Sequence, residues 1–123
     1  MPATIYTKAK VDALLSPPTP TQATLMTGWT NFDAGTYGNT RYSKDHSGLV
    51  HLVGFVQATG TSWEILTLPA GCRPSARTIL PAVAADQFAS IVINPAGVVA
   101  CSGISFNNAK TWLAFAVTFR ATQ

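Results

Sequence analysis

The chain has 123 residues, room for one domain and a short appendage. Its hydrophobic fraction is 47% and its charged fraction only 11%, against roughly 25% charged residues in an average soluble domain, so much of the apolar surface is expected to lie between subunits. The net charge of +3 comes from scattered cations (Lys8, Lys10, Arg41, Lys44, Arg73, Arg77, Lys110 and Arg120), which excludes a basic stripe that tracks phosphates, and nucleic acid is not expected as a partner.

Residues 1–16 are the only stretch that reads as helix. Thr7 can N-cap residues 8–15, and Val11, Leu14 and Leu15 share one side. Ser16-Pro17-Pro18 stops the helix. Two turns cannot hold alone in water, so they must pack on something, and three copies of Val11, Leu14 and Leu15 can bury one another as a short coiled coil. The proline-rich residues 17–24 form a stiff linker. The expected organisation is therefore a helix and linker over 1–24 and a β-domain over 25–123.

From Leu25 onward no helix is evident, and short apolar runs alternate with turn signals. Strands are expected over 25–29, 40–43, 49–56, 62–68, 78–83, 87–93, 98–101, 104–106 and 111–120. In the run 49–56 both sides are almost wholly apolar, which predicts burial on both. Leu68-Pro69-Ala70-Gly71 breaks the ladder, because Pro lacks an N–H and Gly accepts positive φ. In the last run Leu113, Phe115, Val117 and Phe119 make a core face, opposite Trp112, Ala114, Ala116, Thr118 and Arg120. About eight short strands with regular turns indicate a mainly β fold, a jelly-roll-like antiparallel β-sandwich preceded by the short N-terminal α-helix.

Cys72 and Cys101 form neither a metal pattern nor a disulfide framework; free thiols are expected, with a single bridge as the other reading. No apolar run reaches the roughly 18–20 residues that cross a bilayer, so no membrane insertion is expected. The opening MPATIYTKAK lacks a signal-peptide core, which points to synthesis in a cytoplasm.

Several motifs occur in order: Gly28-Trp29-Thr30-Asn31, the strand Gly48-Leu49-Val50-His51-Leu52-Val53-Gly54, the corner Leu68-Pro69-Ala70-Gly71-Cys72-Arg73-Pro74, and the turn Asn94-Pro95-Ala96-Gly97. Together they resemble the C-terminal head domains of phage tail-fibre and receptor-binding proteins. Tyr6-Thr7-Lys8-Ala9-Lys10-Val11-Asp12-Ala13-Leu14-Leu15 is similar to a helical element of phage fibre shafts. The resemblance implies a homotrimeric fibre tip in the virion, joined to other tail or baseplate proteins, assembled in the host cytoplasm and adhering outside to a host cell-surface saccharide. It carries over no binding residues, and Cys72 departs from the aromatic or aliphatic residue more usual at that corner.

Sugars stack their C–H faces on flat rings and hydrogen-bond to polar neighbours. On that chemistry Tyr37, Asn39, Arg41, Tyr42 and Trp63 are the candidate ligand contacts. His51 and Trp112 join Val11, Leu14 and Leu15 as candidate trimer contacts. His51 at a three-fold axis is a minor metal reading, and no metal or cofactor is expected. Asp45-His46 beside Ser43 or Ser47 reads as a solvated loop rather than a triad, and no Gly-x-Ser-x-Gly elbow occurs. Asp33, Asp45 and Asp86 show no spacing that pairs them as glycosidase carboxylates. Adhesion without catalysis is expected; a structural tail component and a polysaccharide depolymerase fragment are the alternatives.

Overall fold

The computed structural model describes residues 7–8, 19–60, 62–85, 87–102 and 112–121. Of the expected N-terminal helix only Thr7 and Lys8 fall within them, Lys8 with helical geometry. Val11, Leu14, Leu15, Asp86 and the strand expected at 104–106 lie outside the described residues.

The domain is mainly β, a single antiparallel sheet that curls on itself. In chain order the strands are β1 (Thr21–Gln22), β2 (Trp29–Asn31), β3 (Arg41–Lys44), β4 (Leu49–Ala58), β5 (Glu64–Thr67), β6 (Thr78–Ala84), β7 (Gln87–Ile93), β8 (Val98–Ser102) and β9 (Leu113–Arg120). They are ordered β1-β3-β4-β9-β6-β7-β8-β5, with β2 pairing β4 off that path. The strand expected at 25–29 is not formed: Leu25 makes an isolated bridge to Leu66, and the ladder begins at Trp29. Ahead of it, Thr21 and Gln22 already pair with β3 and Ala23 is buried.

Two features curl the sheet. β9 meets β6 through only Val83–Ala114 and Ala84–Leu113, so the halves can diverge beyond that contact. The far edge, β5, then reaches the segment between β1 and β2: Leu66 bridges Leu25, and Met26 N–H donates to the Ile65 carbonyl at 2.7 Å. Within the second half, β6, β7 and β8 run as a meander and β5 returns beside β8, a Greek-key order.

The core fills the inside of this curl. β9 buries Leu113, Phe115, Val117 and Phe119, as its alternation requires, against Val50, Leu52 and Val56 of β4. Ile65, Leu66, Leu68, Ile91, Ile93 and Val99 supply the other half. Each such side chain contributes about 1.5–3 kcal/mol by leaving water. The expectation that β4 is buried on both sides fails. Its pattern alternates strictly, with Leu49, His51, Val53, Phe55 and Gln57 only half-buried on the outer face. Apolar residues on that face are therefore a surface feature and not core.

The corner and the turn named in the sequence interlock. Leu68 N–H donates to the Gly97 carbonyl at 2.8 Å, and Arg73 Nε donates to the Leu68 carbonyl at 2.9 Å. Gly97 lies at φ +88°, and a Cβ there would stand 2.5 Å from the Leu68 oxygen and 2.7 Å from Arg73 Nε. Asn94 closes the same turn by accepting Val98 N–H on its side chain at 3.1 Å. At the other end of the sheet, Trp29 is buried and its indole donates to the Ser62 carbonyl at 2.9 Å. Asn31 Oδ1 accepts from both the backbone and the hydroxyl of fully buried Thr40, at 2.8 and 2.6 Å. The motif residues thus hold the fold together.

Candidate functional site

The outer face of β3, β4 and β9 is the most distinctive surface of the domain. It carries Trp112 just before β9, then Ala114 and Ala116, then Thr118 and Arg120 on the strand. The two alanines are too short to fill the space between their neighbours. Beside them a groove of about 290 Å³ opens, walled by Tyr37, Arg41, Val53 and Phe55.

Tyr37 reaches this groove from a single helical turn, α1 (Ala34–Tyr37), which departs from the expectation of no helix beyond Leu25. Its cause is local. Asp33 adopts the left-handed conformation at φ 48°, one that Asp tolerates better than most residues. Its carbonyl then accepts the N–H of Thr36 at 3.0 Å and of Tyr37 at 2.9 Å. A four-residue turn is too short for any periodicity to announce it. Phe32 N–H, bonded to the Phe55 carbonyl at 2.8 Å, ties the start of the segment to β4.

The result is a pile of rings. Tyr37 lies over Phe55 at 4.5 Å between centroids and 7° between planes. Phe55 also meets Trp112 at 5.4 Å and Phe32 at 5.2 Å. Tyr37 nevertheless remains 49% exposed, so it offers a fixed ring to solvent. Side-chain stacking fixes it in place, and little entropy remains to be lost when a flat ligand settles beside it.

Arg41 and Asn39 belong to the same place. Arg41 faces outward beside Val53, its cross-strand partner, and its Nη1 donates to the Asn39 carbonyl at 3.0 Å. Asn39 Oδ1 accepts from Asn31 Nδ2 at 3.4 Å, which links the site to the buried Asn31–Thr40 pair. On the other side of Tyr37 and Arg41 lies a second, more open groove, formed with Pro20, Gln22, Thr36 and Asn39. An apolar groove and a polar one thus share Tyr37 and Arg41 as their common wall.

Of the five candidate ligand residues, Tyr37, Asn39 and Arg41 come together. Tyr42 does not join them: it faces the opposite side of β3 and packs against the core. Trp63 also stands apart, half exposed just before β5, where its carbonyl accepts Cys101 N–H at 2.9 Å. Trp112, expected at a subunit contact, is a member of the ring pile within the chain. Sequence alone does not single out Phe32, Phe55, Ala114 and Ala116. For Phe55, Ala114 and Ala116 the signal is the outward phase of β4 and β9, visible only once β4 is read as one-sided.

His51 lies on the same face, one cross-strand row from the groove. Its Nε2 is 3.2 Å from Asp45 Oδ2 and its Nδ1 is 3.0 Å from Thr118 Oγ1. Asp45 Oδ1 accepts the Ser47 hydroxyl, Ser47 N–H and Leu49 N–H at 2.6, 2.9 and 3.0 Å. These bonds, the Ser47 hydroxyl foremost, hold the Asp45 carboxyl well below the usual carboxylate range. The carboxylate therefore serves first as the clasp of the β3–β4 turn and second as the anchor of His51. It is not the freely solvated loop acid expected from sequence.

Both cysteines are free, Cys101 buried and Cys72 partly so. Burial pushes the Cys101 thiol up to about 11. Among the described residues no cluster of three or more His, Cys, Asp or Glu side chains could hold a metal ion, and no helix is long and apolar enough to cross a membrane. Compared with protein-family models and with curated proteins, the chain matches none.

Proposed function

We propose that this domain is an adhesive, saccharide-binding head, the tip of a phage tail fibre that holds a host cell surface without doing chemistry on it. The observation that carries this reading is the half-exposed Tyr37 ring, fixed on Phe55 at the wall of an open groove. Rigid rings beside hydrogen-bonding groups suit the alternating C–H and hydroxyl surface of a sugar. The tail-fibre assignment rests on the resemblance of the ordered motifs, and the interlocking of the Leu68–Pro74 corner with the Gly97 turn supports treating them as one scaffold.

In this reading the head works as a homotrimer in the virion, with jelly-roll-like packing of the curled sheet. Three shallow sites acting together turn weak contacts into stable attachment. The N-terminal segment with Val11, Leu14 and Leu15 supplies one subunit contact. A second is assigned to the outer face of β6 and β7, where Ile79 is 66% and Phe88 93% exposed, with Val83 between them in the sheet. That assignment leaves the groove at Tyr37 open. His51 and Trp112 lie on the groove's face, and their part in the trimer is secondary.

The test is adsorption of the purified full chain to intact bacteria and to their extracted surface polysaccharide. Retention that Tyr37→Ala abolishes while the β-sheet circular dichroism is unchanged supports the reading. Retention by no bacterium and no polysaccharide contradicts it.

A further inference from the structure

Resting on the adhesive reading, we infer that the groove at Tyr37 is built for an acidic saccharide, a uronic-acid-containing chain whose carboxylate is taken by Arg41. The two side chains supply the two halves of such a ligand.

Arg41 rises from a row whose other members are Gln22 of β1, Val53 of β4 and Ala116 of β9. Nothing anionic stands in that row. Among the described residues no Asp or Glu forms an ion pair with Arg41. A guanidinium has five N–H donors in a planar fork, and one of them is used on the Asn39 carbonyl. That single bond fixes the side chain against the α1–β3 loop and leaves the rest of the fork to a ligand. A planar fork matches a carboxylate with two parallel hydrogen bonds, which a hydroxyl cannot return.

Position then decides the class of ligand. Arg41 and Tyr37 wall both the apolar groove over Ala114 and Ala116 and the polar groove by Gln22 and Asn39. A ligand touching both must present a flat C–H face to the ring and an anion to the fork within one residue's width. A hexuronic acid does this, since its carboxylate sits on the edge of its own ring. A neutral sugar would fill the grooves, but its hydroxyls accept single hydrogen bonds and leave the guanidinium charge unmatched. A bare anion would pair with the fork but gain nothing from Tyr37, Phe55 or the alanine floor. The overall charge of +3 favours approach of an anionic polymer.

The experiment titrates the full chain by calorimetry with oligogalacturonate, with the same oligomer after its carboxyls are reduced to alcohols, and with inorganic polyphosphate. The acidic oligomer is expected to bind at least tenfold more tightly than the reduced one and than polyphosphate. Arg41→Gln should bring the acidic oligomer down to the reduced one, and Arg41→Lys should recover only part of the loss. Tyr37→Ala should weaken both oligomers. Equal affinity for the acidic and reduced oligomers, or an unchanged Arg41→Gln variant, overturns the inference while leaving a neutral-saccharide head intact. Equal binding of polyphosphate overturns it in favour of simple charge attraction. Binding to neither oligomer, with retention of the chain by another polysaccharide, overturns the acidic class; retention by none removes the adhesive reading as well.

Discussion

Gly54 sits on the inner side of β4 with Phe115 of β9 directly opposite. A Cβ there would stand 2.5 Å from the Phe115 ring and 3.0 Å from the Thr40 methyl, so this position is empty because the ring occupies it. Gly54→Ala forces the ring or the strand to move, and overpacking of this kind costs about 1–3 kcal/mol. Urea unfolding should show that loss, and an unchanged midpoint would contradict the packing described. Asp45 makes a different prediction at the same scale. A carboxyl whose folded pKa is depressed stabilises the fold fully above its unfolded value of about 3.9, and that stability is lost as pH falls toward the folded value. An NMR titration should place the Asp45 midpoint well below the usual carboxylate range, and Asp45→Asn should remove that part of the acid sensitivity. A midpoint at the ordinary value would mean that the clasp with Ser47 and Leu49 is not made. For Cys101, burial and the raised thiol pKa of about 11 predict that an alkylating reagent at pH 8 modifies it only on unfolding. Rapid labelling of a Cys72→Ser variant would say otherwise.

Among the elements, β9 was the most legible, because its alternation in sequence is the alternation of its burial. The corner and turn motifs were legible as punctuation, since Pro and Gly mark breaks, but not as partners. Only the fold brings Arg73, Leu68 and Gly97 into one hydrogen-bonded unit. Gly97→Ala should therefore destabilise the domain more than Gly71→Ala, because a Cβ at Gly71 would meet nothing within 4 Å. Gly71 also has positive φ, so the difference between the two variants reports the close contact at Gly97 and not the backbone conformation they share. Equal losses in urea unfolding would contradict that contact. The groove at Tyr37 was half legible. Tyr37, Asn39 and Arg41 stand out by polar and aromatic composition, and they do cluster. The floor of Ala114 and Ala116 and the stacking of Phe55 were hidden, because they depend on register between strands far apart in sequence. Tyr42 looks equivalent to Arg41 in composition, and the strand's two-residue period sends it to the opposite face.

Over the whole molecule, the low charge content and the exposed Ile79, Val83 and Phe88 belong to one account. A single row of cross-strand partners, Phe55, Ala114, Val83 and Phe88, runs over four strands and joins the groove to that apolar edge. If three copies meet at the β6–β7 end of this row, Phe88→Asp should lower the solution mass from trimer toward monomer while the sheet stays folded. A wild-type chain that is monomeric by light scattering would remove the trimer from the account. Ligand and assembly would then be separable, with the proposed saccharide site standing on its own residues. The most direct test of that site is a glycan array probed with the labelled full chain and with Tyr37→Ala. The account predicts that the wild-type chain binds a discrete set of saccharides and that the variant, equally folded, binds none of them. Silence of the wild-type chain across the array, or a variant that binds as well as wild type, would contradict it.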